Sequence, residues 1–226
     1  MRAQFKSRSL KAERLDLGDY TPAEYARWQR EMRLIHGVFG EIKALKGSLL
    51  AEIEGLKLSD VSILDVGAAR GYLLSCIDER LNGTKRTLLA ADIERDGLRS
   101  SIGDALPVQC SGLRLPFADD SVDYAYSTLT LHHLSDEDAV QFLREMARVT
   151  RRRIFVIDLN RDPTAYYLYR LLSPLFFQKL TSEDGALSIL RSRTPEELSR
   201  LAASAGLVDV TIKHSRVNRL VLSGRP

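Results

Sequence analysis

An acidic residue stands two positions ahead of a glycine at the end of an apolar run. Asp65 lies near the end of the run 61–66. Gly67 directly follows that run, and Gly71 comes four residues later. This pattern predicts a strand, a tight turn and a helix, a geometry that brings the backbone close to a ligand. The carboxylate of Asp65 suits a ligand with a positive ammonium group and would repel a pyrophosphate. The alternative is a strand-to-helix turn that binds nothing.

The spacing of the glycines differs from that of the dinucleotide fingerprint. The fingerprint is G-x-G-x-x-G, whereas the six residues from Gly67 are Gly, Ala, Ala, Arg, Gly and Tyr. An NAD-dependent oxidoreductase is therefore disfavoured. The expected ligand contacts in this turn come from the acid, the small residues and the glycine that opens the helix, namely Asp65, Gly67, Ala68, Ala69 and Gly71.

A second acidic residue, Asp92, ends the next predicted strand. An acid about twenty residues beyond a glycine turn can accept hydrogen bonds from both hydroxyls of a ribose. Ile93 follows it and can pack on a purine base. The alternative for Asp92 is a helix N-cap ahead of Glu94.

Two histidines follow the predicted strand 122–130, and Asp158 lies at the end of the next strand. In open α/β sheets, ligands bind outside the carboxyl ends of the strands. A neutral imidazole can take a proton from a hydroxyl, so His132, His133 and Asp158 are the candidate bases. The alternative is that the histidines only line a turn ahead of a helix capped by Ser135. No metal-ligand spacing is visible, and no metal is predicted.

Strands alternate with helices from residue 61 onward. The predicted strands are 61–66, 86–91, 107–111, 122–130, 153–159, 207–214 and 217–223. The predicted helices are about 71–82, 94–101, 135–150, 163–180 and 194–205. Too few residues separate the last two strands for a crossover, so they should pair antiparallel. The fold class is α/β: a Rossmann-like, doubly wound, seven-stranded sheet with a C-terminal antiparallel hairpin.

Residues 1–58 show helix signals and no strand signal, which predicts an N-terminal helical cap on a core of residues 59–226. One helix should start at Thr21 and run through Trp28, and a second should cover roughly 34–56. Tyr20, Tyr25 and Trp28 are either apolar lids over the ligand pocket or core residues.

The predicted helix 163–180 is apolar on nearly every face and is interrupted by Pro174. It is a substrate cap, a dimer contact or an interfacial helix, and ordinary core packing is a fourth interpretation. Three consecutive arginines, 151–153, are expected at the solvated C-terminus of the preceding helix, where positive charge suits the helix dipole. A nucleic-acid contact is the alternative.

The composition is that of a soluble globular protein: 226 residues, 44% hydrophobic and 28% charged, with a net charge of +3. This charge is too small to indicate nucleic acid as a partner. The two cysteines form no disulfide framework, and a reduced, cytoplasmic location is expected. No signal peptide and no membrane-spanning run are predicted.

Three motifs together resemble class I S-adenosylmethionine-dependent methyltransferases. They are D-x-G-x-x-x-G from Asp65, L-P-F-x-D-x-S-V-D at 115–123, and R-E-x-x-R-V at 144–149. The resemblance implies S-adenosylmethionine as the cofactor and S-adenosylhomocysteine as the product. It places Ser111, Gly112, Leu113, Ser127 and Thr128 among the cofactor-binding residues, with the backbone at 127–128 beside the methionine part and a histidine facing the acceptor. The chain departs from the family at Ala69, usually glycine, and at Ser111, often an acid.

A looser resemblance concerns the acceptor. The motifs D-L-x-R from 158, D-G-x-L-S from 184 and T-P-x-E-L from 194 are similar to those of small-molecule methyltransferases found beside natural-product synthases. This implies O-methylation of a small, largely apolar metabolite, without nucleic acid as a partner; a homodimer stays open. The alternatives are an RNA methyltransferase, and a catalytically silent binding protein that Ala69 and Ser111 would favour.

Overall fold

The computed structural model describes residues 3–81, 83–99 and 104–226. The strands are β1 (Asp60–Val66), β2 (Lys85–Asp92), β3 (Leu106–Gln109), β4 (Val122–Thr128), β5 (Thr150–Leu159), β6 (Val208–Ser215) and β7 (Arg219–Arg225). The α-helices are α1 (Pro22–Val38), α2 (Glu41–Leu45), α3 (Ala51–Leu56), α4 (Tyr72–Asp78), α5 (Arg95–Arg99), α6 (Asp136–Val149), α7 (Pro163–Phe176), α8 (Lys179–Arg191) and α9 (Pro195–Ser204). A π-helical turn, Lys46–Leu50, joins α2 to α3, and 3-10 turns cover Ala3–Phe5 and Leu131–His133.

The seven strands form one sheet in the order β3-β2-β1-β4-β5-β7-β6. The first five strands run parallel, and β7 is antiparallel to both β5 and β6. The predicted doubly wound sheet with a C-terminal antiparallel hairpin is therefore confirmed. The strand order reverses between β1 and β4, so their carboxyl ends open a crevice at the switch point, where ligands bind in such sheets.

Both faces of the sheet are covered, which explains why its central strands are apolar in successive residues rather than in alternation. Ile63 and Leu64 are adjacent in β1 and both fully buried. Leu64 packs in a core with residues of α6 and α9, whereas Ile63 packs with residues of α2, α3 and α4. Two cores therefore fix β1 from opposite sides and hold the turn that follows it.

The arginine triplet is not at a helix C-terminus, which corrects the expectation. β5 begins at Thr150, so Arg151, Arg152 and Arg153 lie within the strand. The first two pair with Asp123, and Arg153 pairs with Glu52. These carboxylates neutralise the charge at the end of the sheet opposite the crevice, where the register between β4 and β5 shifts between Val122 and Tyr124.

Several predicted boundaries also change. The first helix continues to Val38, and Gly40, at φ 111°, breaks the helix predicted over 34–56. β4 ends at Thr128, because Leu129 takes a positive φ of 52°. α4 ends at Asp78. Residue 82 of the predicted helix 71–82 and residues 100 and 101 of the predicted helix 94–101 lie outside the described residues.

No helix is predicted between 180 and 194, whereas the structure has one there. α7 ends at Phe176, and α8 occupies Lys179–Arg191. Polar residues and Gly185 give this segment a weak helix signal. The glycine is needed because a Cβ at this position would run into the ring of Tyr169. Packing of α8 against α7 thus overrides the local propensity.

Candidate active site

The turn after β1 is held to the neighbouring strand. Gly67 has a φ of 82°, and the backbone N–H groups of Gly67 and Ala68 both donate to the carbonyl of Ala91, at 2.8 and 3.1 Å. A Cβ on Gly67 would collide with the side chain of Thr130 on the adjacent loop. Glycine is therefore required here both by the backbone conformation and by the close approach of that loop.

Asp65 places a carboxylate beneath this turn. The residue is only 2% exposed, and its Oδ2 accepts a 2.7 Å hydrogen bond from the hydroxyl of Tyr126. Its Oδ1 has no hydrogen-bond partner among the described residues. Burial raises the pKa of Asp65 to about 7, and the hydrogen bond from Tyr126 opposes this only in part. A buried oxygen without a donor is suited to a ligand ammonium group, which would restore the ionised form.

Asp92 closes the other side of the turn. Its Oδ2 accepts from the N–H of Ala69 at 2.6 Å, and its Oδ1 accepts from the N–H of Glu94 at 2.8 Å. The second contact is a local turn and not the helix N-cap of the alternative, because α5 begins only at Arg95. Each carboxylate oxygen still has a lone pair for a hydroxyl donor. The next side chain, Ile93, is 66% exposed at the cavity.

The loop after β3 is compact. The hydroxyl of Ser111 accepts a 3.2 Å hydrogen bond from the N–H of Leu113. The N–H of Cys110 donates to the carbonyl of Asp92 at 2.9 Å, which ties this loop to the end of β2. A Cβ on Gly112 would lie 2.5 Å from the ring of Phe142, so a side chain at this position would displace the loop.

His132 is joined twice to Asp158. Its backbone N–H donates to Oδ2 at 3.0 Å, and its ring Nδ1 lies 2.7 Å from Oδ1. Both residues are buried. Burial alone would raise the pKa of Asp158, but the charge and the hydrogen bond of His132 outweigh it and lower that pKa. Because an ionised carboxylate only accepts hydrogen bonds, Nδ1 carries a proton and Nε2 is the ring atom left for a ligand.

The N-terminal segment brings two carboxylates to the histidines. Glu13 Oε1 lies 3.7 Å from Nε2 of His132, and Asp16 Oδ1 lies 3.0 Å from Nδ1 of His133. Burial raises the pKa of Glu13 to about 7. Burial would also raise the pKa of Asp16, but its contacts with His133 and Arg191 hold it well below the ordinary range.

Three arginines fix the backbone that carries the histidines. Arg8 donates to the carbonyl of His132 at 2.7 Å, Arg193 donates to that of Leu131 at 2.6 Å, and Arg191 donates to that of His133 at 3.2 Å. The carbonyl of Leu131 also accepts from the N–H of Leu134 at 3.2 Å, so the arginines matter most for those of His132 and His133. The position of the turn Leu131–His133 is therefore set by the N-terminal segment and by the end of α8.

Glu13, His132 and His133 place possible metal-ligand atoms within 4.8 Å of one another. However, the guanidinium of Arg191 lies 3.8 Å from Glu13 Oε1, and the hydroxyl of Ser188 donates to that oxygen at 2.9 Å. The adjacent positive charge and the existing hydrogen bond both work against a cation. The cluster is better suited to holding or passing a proton.

A single cavity of about 1390 Å³ brings these groups together. It is lined by most of the predicted site residues: Asp65, Gly67, Ala68, Ala69, Asp92, Ile93, Ser111, Gly112, Leu113, Thr128, His132 and His133. Gly71, Ser127 and Asp158 are not among its lining residues. Gly71 caps α4 at φ 68°, the side chain of Ser127 is fully buried, and Asp158 lies behind His132.

The predicted aromatic lids also line this cavity. The rings of Tyr20 and Tyr25 stack with centroids 5.1 Å apart, and those of Tyr25 and Trp28 with centroids 5.6 Å apart.

Sequence reasoning missed Glu13, Asp16 and Tyr126 as site residues. The sequence around Glu13 and Asp16 has no local signal for a site residue. Tyr126 lies on β4 and pairs with Asp65 of the neighbouring strand β1 in the sheet.

Comparisons with known proteins agree with this geometry. Residues 64–157 match the family model described as a methyltransferase domain. A demethylmenaquinone methyltransferase of Geobacillus kaustophilus is 30% identical over 125 residues, which are 50% of this chain and 53% of that protein. The chain thus spans about half the length of the curated relatives it matches.

Solved structures show the same fold. A methyltransferase of Thermotoga maritima, described as a possible histamine N-methyltransferase, superposes with a TM-score of 0.60 at 15% identity, covering 90% of this chain and 98% of that one. Human N-acetylserotonin methyltransferase, solved with S-adenosylmethionine, gives a TM-score of 0.54 at 18% identity over 73% of this chain and 47% of that one. The resemblance expected from the sequence is supported: residues 64–157 match a methyltransferase domain, and the fold is that of these solved methyltransferases.

Proposed function

We propose that this protein transfers the methyl group of S-adenosylmethionine to an oxygen atom of a small, largely apolar acceptor. The observation that supports this most strongly is the shared cavity. The glycine turn with its two carboxylates and the ring of His132, which Asp158 holds from behind, face the same space. One end suits a cofactor with ammonium and ribose groups, and the other end presents a ring nitrogen that can take a proton.

The residues present fit the proposed cofactor. Oδ1 of Asp65, which has no hydrogen-bond partner in the described part of the chain, is placed to accept from the ammonium group, and the carboxylate of Asp92 is placed to accept from the ribose hydroxyls. We assign the backbone of Gly67–Ala69 and the loop Ser111–Leu113 to the same ligand. When bound, S-adenosylmethionine supplies a methyl group already activated by a sulfonium centre.

The protein's main contribution is then position. Holding two reactants in line contributes about 7–11 kcal/mol to lowering a barrier. The three arginines that bind the carbonyls of the turn Leu131–His133 keep the acceptor side rigid. The second contribution is proton transfer: Nε2 of His132 takes the hydroxyl proton, while Asp158 fixes the ring and stabilises its positive form. Glu13, 3.7 Å from that nitrogen, is the next proton acceptor.

An apolar acceptor is favoured by the cavity walls beyond the histidines. Leu168, Leu172 and Phe176 of α7 line them, together with Ile189 of α8. The relatives named for demethylmenaquinone support the same class of acceptor for this chain. The substrate-cap interpretation of α7 is thus the one we adopt.

Calorimetric titration with S-adenosylmethionine and with S-adenosylhomocysteine tests the proposal first. We expect micromolar binding that is lost in Asp92→Ala, followed by methylation of phenolic or quinol acceptors in a radiolabel assay. Binding without any transfer across such acceptors would favour the catalytically silent binding protein. No binding of either ligand to the wild-type protein would overturn the proposal.

A further inference from the structure

One face of α7 is apolar and exposed from Leu168 to the end of the helix at Phe176. Leu168, Leu171, Leu172, Leu175 and Phe176 are 55, 73, 41, 74 and 71% exposed. Their spacing is i, i+3, i+4, i+7 and i+8, so they form one continuous stripe along the helix. We call these five residues the α7 stripe. Scattered exposed leucines are common, but a continuous stripe marks an interaction surface.

The α7 stripe faces two ways. Leu168, Leu172 and Phe176 line the cavity, whereas Leu171 and Leu175 do not and are the most exposed of its leucines. The helix is therefore a rim of the cavity mouth, with its outer edge turned to solvent. A surface that covers Leu171 and Leu175 would also border the entrance to the proposed acceptor pocket.

The opposite face of α7 is fixed, so the stripe cannot rotate inward. The hydroxyl of Tyr169 donates to the carbonyl of Thr181 at 2.9 Å. Tyr166 and Ser173 are buried on the same side. At the start of the helix, the carboxylate of Asp162 caps the N–H of Ala165 at 2.7 Å.

Within the helix that carries the stripe, the charge has one sign. Between Pro163 and Gln178 the chain has no acidic residue, and Arg170 is its only charged side chain. Lys179, with an 80% exposed side chain, follows the helix, although it lies 3.8 Å from Glu183 on α8. Exposed Lys6 lies near the start of α7, because its neighbour Phe5 packs on the ring of Tyr167. Exposed leucines flanked by cations are complementary to an anionic lipid surface.

We propose that the α7 stripe docks on the surface of an anionic lipid bilayer, so that a lipid-dissolved acceptor enters the cavity past Leu172 and Phe176. The helix would lie in the plane of the interface, with Leu171 and Leu175 in the acyl boundary and Lys6, Arg170 and Lys179 near the headgroups. Among the described residues, none of the helices is both long and apolar enough to cross a bilayer. The entry route rests on the proposed function, whereas the docking does not.

Vesicle flotation of the full chain tests the docking. We expect binding to vesicles of phosphatidylglycerol and phosphatidylcholine that weakens with added salt, and at least about tenfold weaker binding to phosphatidylcholine alone. The double variant Leu171→Glu/Leu175→Glu should lose about tenfold or more of the binding. Leu56→Glu is the matched control, because this leucine is also helical and 52% exposed but lies on α3, and it should bind like the wild type.

Three outcomes would overturn the docking: no flotation of the wild type, equal loss in the control, or full binding by the double variant. Light scattering on the same samples examines self-association. A dimer that the double variant dissociates, without vesicle binding, would assign the stripe to a second copy of this chain. Titration with S-adenosylmethionine in the absence of vesicles keeps failure of the docking distinct from failure of the proposed function, and it also verifies that the double variant is folded.

Discussion

The backbone N–H of Ala69 donates a 2.6 Å hydrogen bond to the carboxylate of Asp92. Ala69 holds a φ of 47°, a left-handed conformation that side chains disfavour. The acid assigned to the ribose therefore also stabilises the turn that faces the cofactor. This bond explains how the chain keeps the family's turn with alanine where glycine is usual.

Ala69→Gly should stabilise the protein. An alanine in the left-handed conformation lowers the free energy of unfolding by about 1–2 kcal/mol. Replacing it with glycine removes this strain, but the greater freedom of glycine in the unfolded chain offsets about 0.4–1 kcal/mol of the gain. We expect a net gain of about 0.5–1 kcal/mol in urea unfolding without ligand. The matched control is Ala68→Gly, since Ala68 is buried and has no positive φ, and it should lose about 1 kcal/mol. Equal shifts in the two variants would contradict the strain at Ala69.

Asp65→Asn should change how stability depends on pH. The pKa of Asp65 is about 7 in the folded state, above the ordinary value of 3.8. A raised carboxyl pKa means that the folded state favours the protonated form, so stability from this group is complete below about pH 4 and is lost as pH rises to about 7.

The asparagine variant lacks this titration. We expect it to be about 1–3 kcal/mol more stable than the wild type at about pH 8 and nearly equal at about pH 4, measured by urea unfolding without ligand. Glu13 titrates in the same range and is present in both proteins, so it cancels in the comparison. A stability difference that is independent of pH would contradict an ionised, uncompensated Asp65.

His132→Gln should remove proton transfer without affecting the cofactor. We expect the rate of methyl transfer to an acceptor to fall by about 10²–10⁴-fold, with the dissociation constant of S-adenosylmethionine nearly unchanged. His133→Gln is the control, since His133 is more exposed and does not contact Asp158. A larger loss in the control would assign the base to His133 instead.

Asp158→Asn tests the positioning role of the second carboxylate. Without the negative charge, the ring of His132 can take a different tautomer, and its protonated form is less stable. We expect a lower rate and a pH–rate profile whose rising limb lies at lower pH than that of the wild type, because the protonated ring loses the carboxylate that stabilises it. A lower rate with an unchanged profile would mean that Asp158 acts only on packing.

Glu31→Gln should loosen the contact between α1 and the junction of α7 and α8. The buried carboxylate of Glu31 accepts from the N–H of Gln178 at 3.1 Å and from the hydroxyl of Thr181 at 2.5 Å. We expect a loss of about 1–3 kcal/mol and faster amide exchange at the start of α8. Arg27→Gln, which removes the half-exposed partner of the same carboxylate, should cost at most about 1 kcal/mol.

The cofactor side of the site was predictable because its signals are local. A buried strand, small residues and glycines within a short stretch predicted the turn around Asp65, and a second strand end predicted the position of Asp92. The hairpin of β6 and β7 followed from the short connection between them. Each of these inferences depends on neighbours in the sequence.

The acceptor side was not predictable in the same way. Arg8 reaches the carbonyl of His132 across 124 residues, and Glu13 arrives with the same N-terminal segment. No periodicity or spacing predicts such contacts, because tertiary packing alone creates them. α8 was missed for a related reason: its polar residues serve this packing, as Asp184 does for the backbone of Arg14 and Leu15.

The two carboxylate oxygens of Asp184 accept from the N–H groups of Arg14 and Leu15, at 2.9 and 3.1 Å. These two hydrogen bonds involve the backbone, and not the side chains, of the segment that carries Glu13. The side chain of Leu15, which lines the cavity, can therefore be exchanged while this contact is kept, whereas Glu13 and Asp16 also hold the segment through their side chains. The wall of the pocket beside His132 is in this sense interchangeable, and acceptor preference can be re-engineered there without altering the part of the chain that binds the methyl donor.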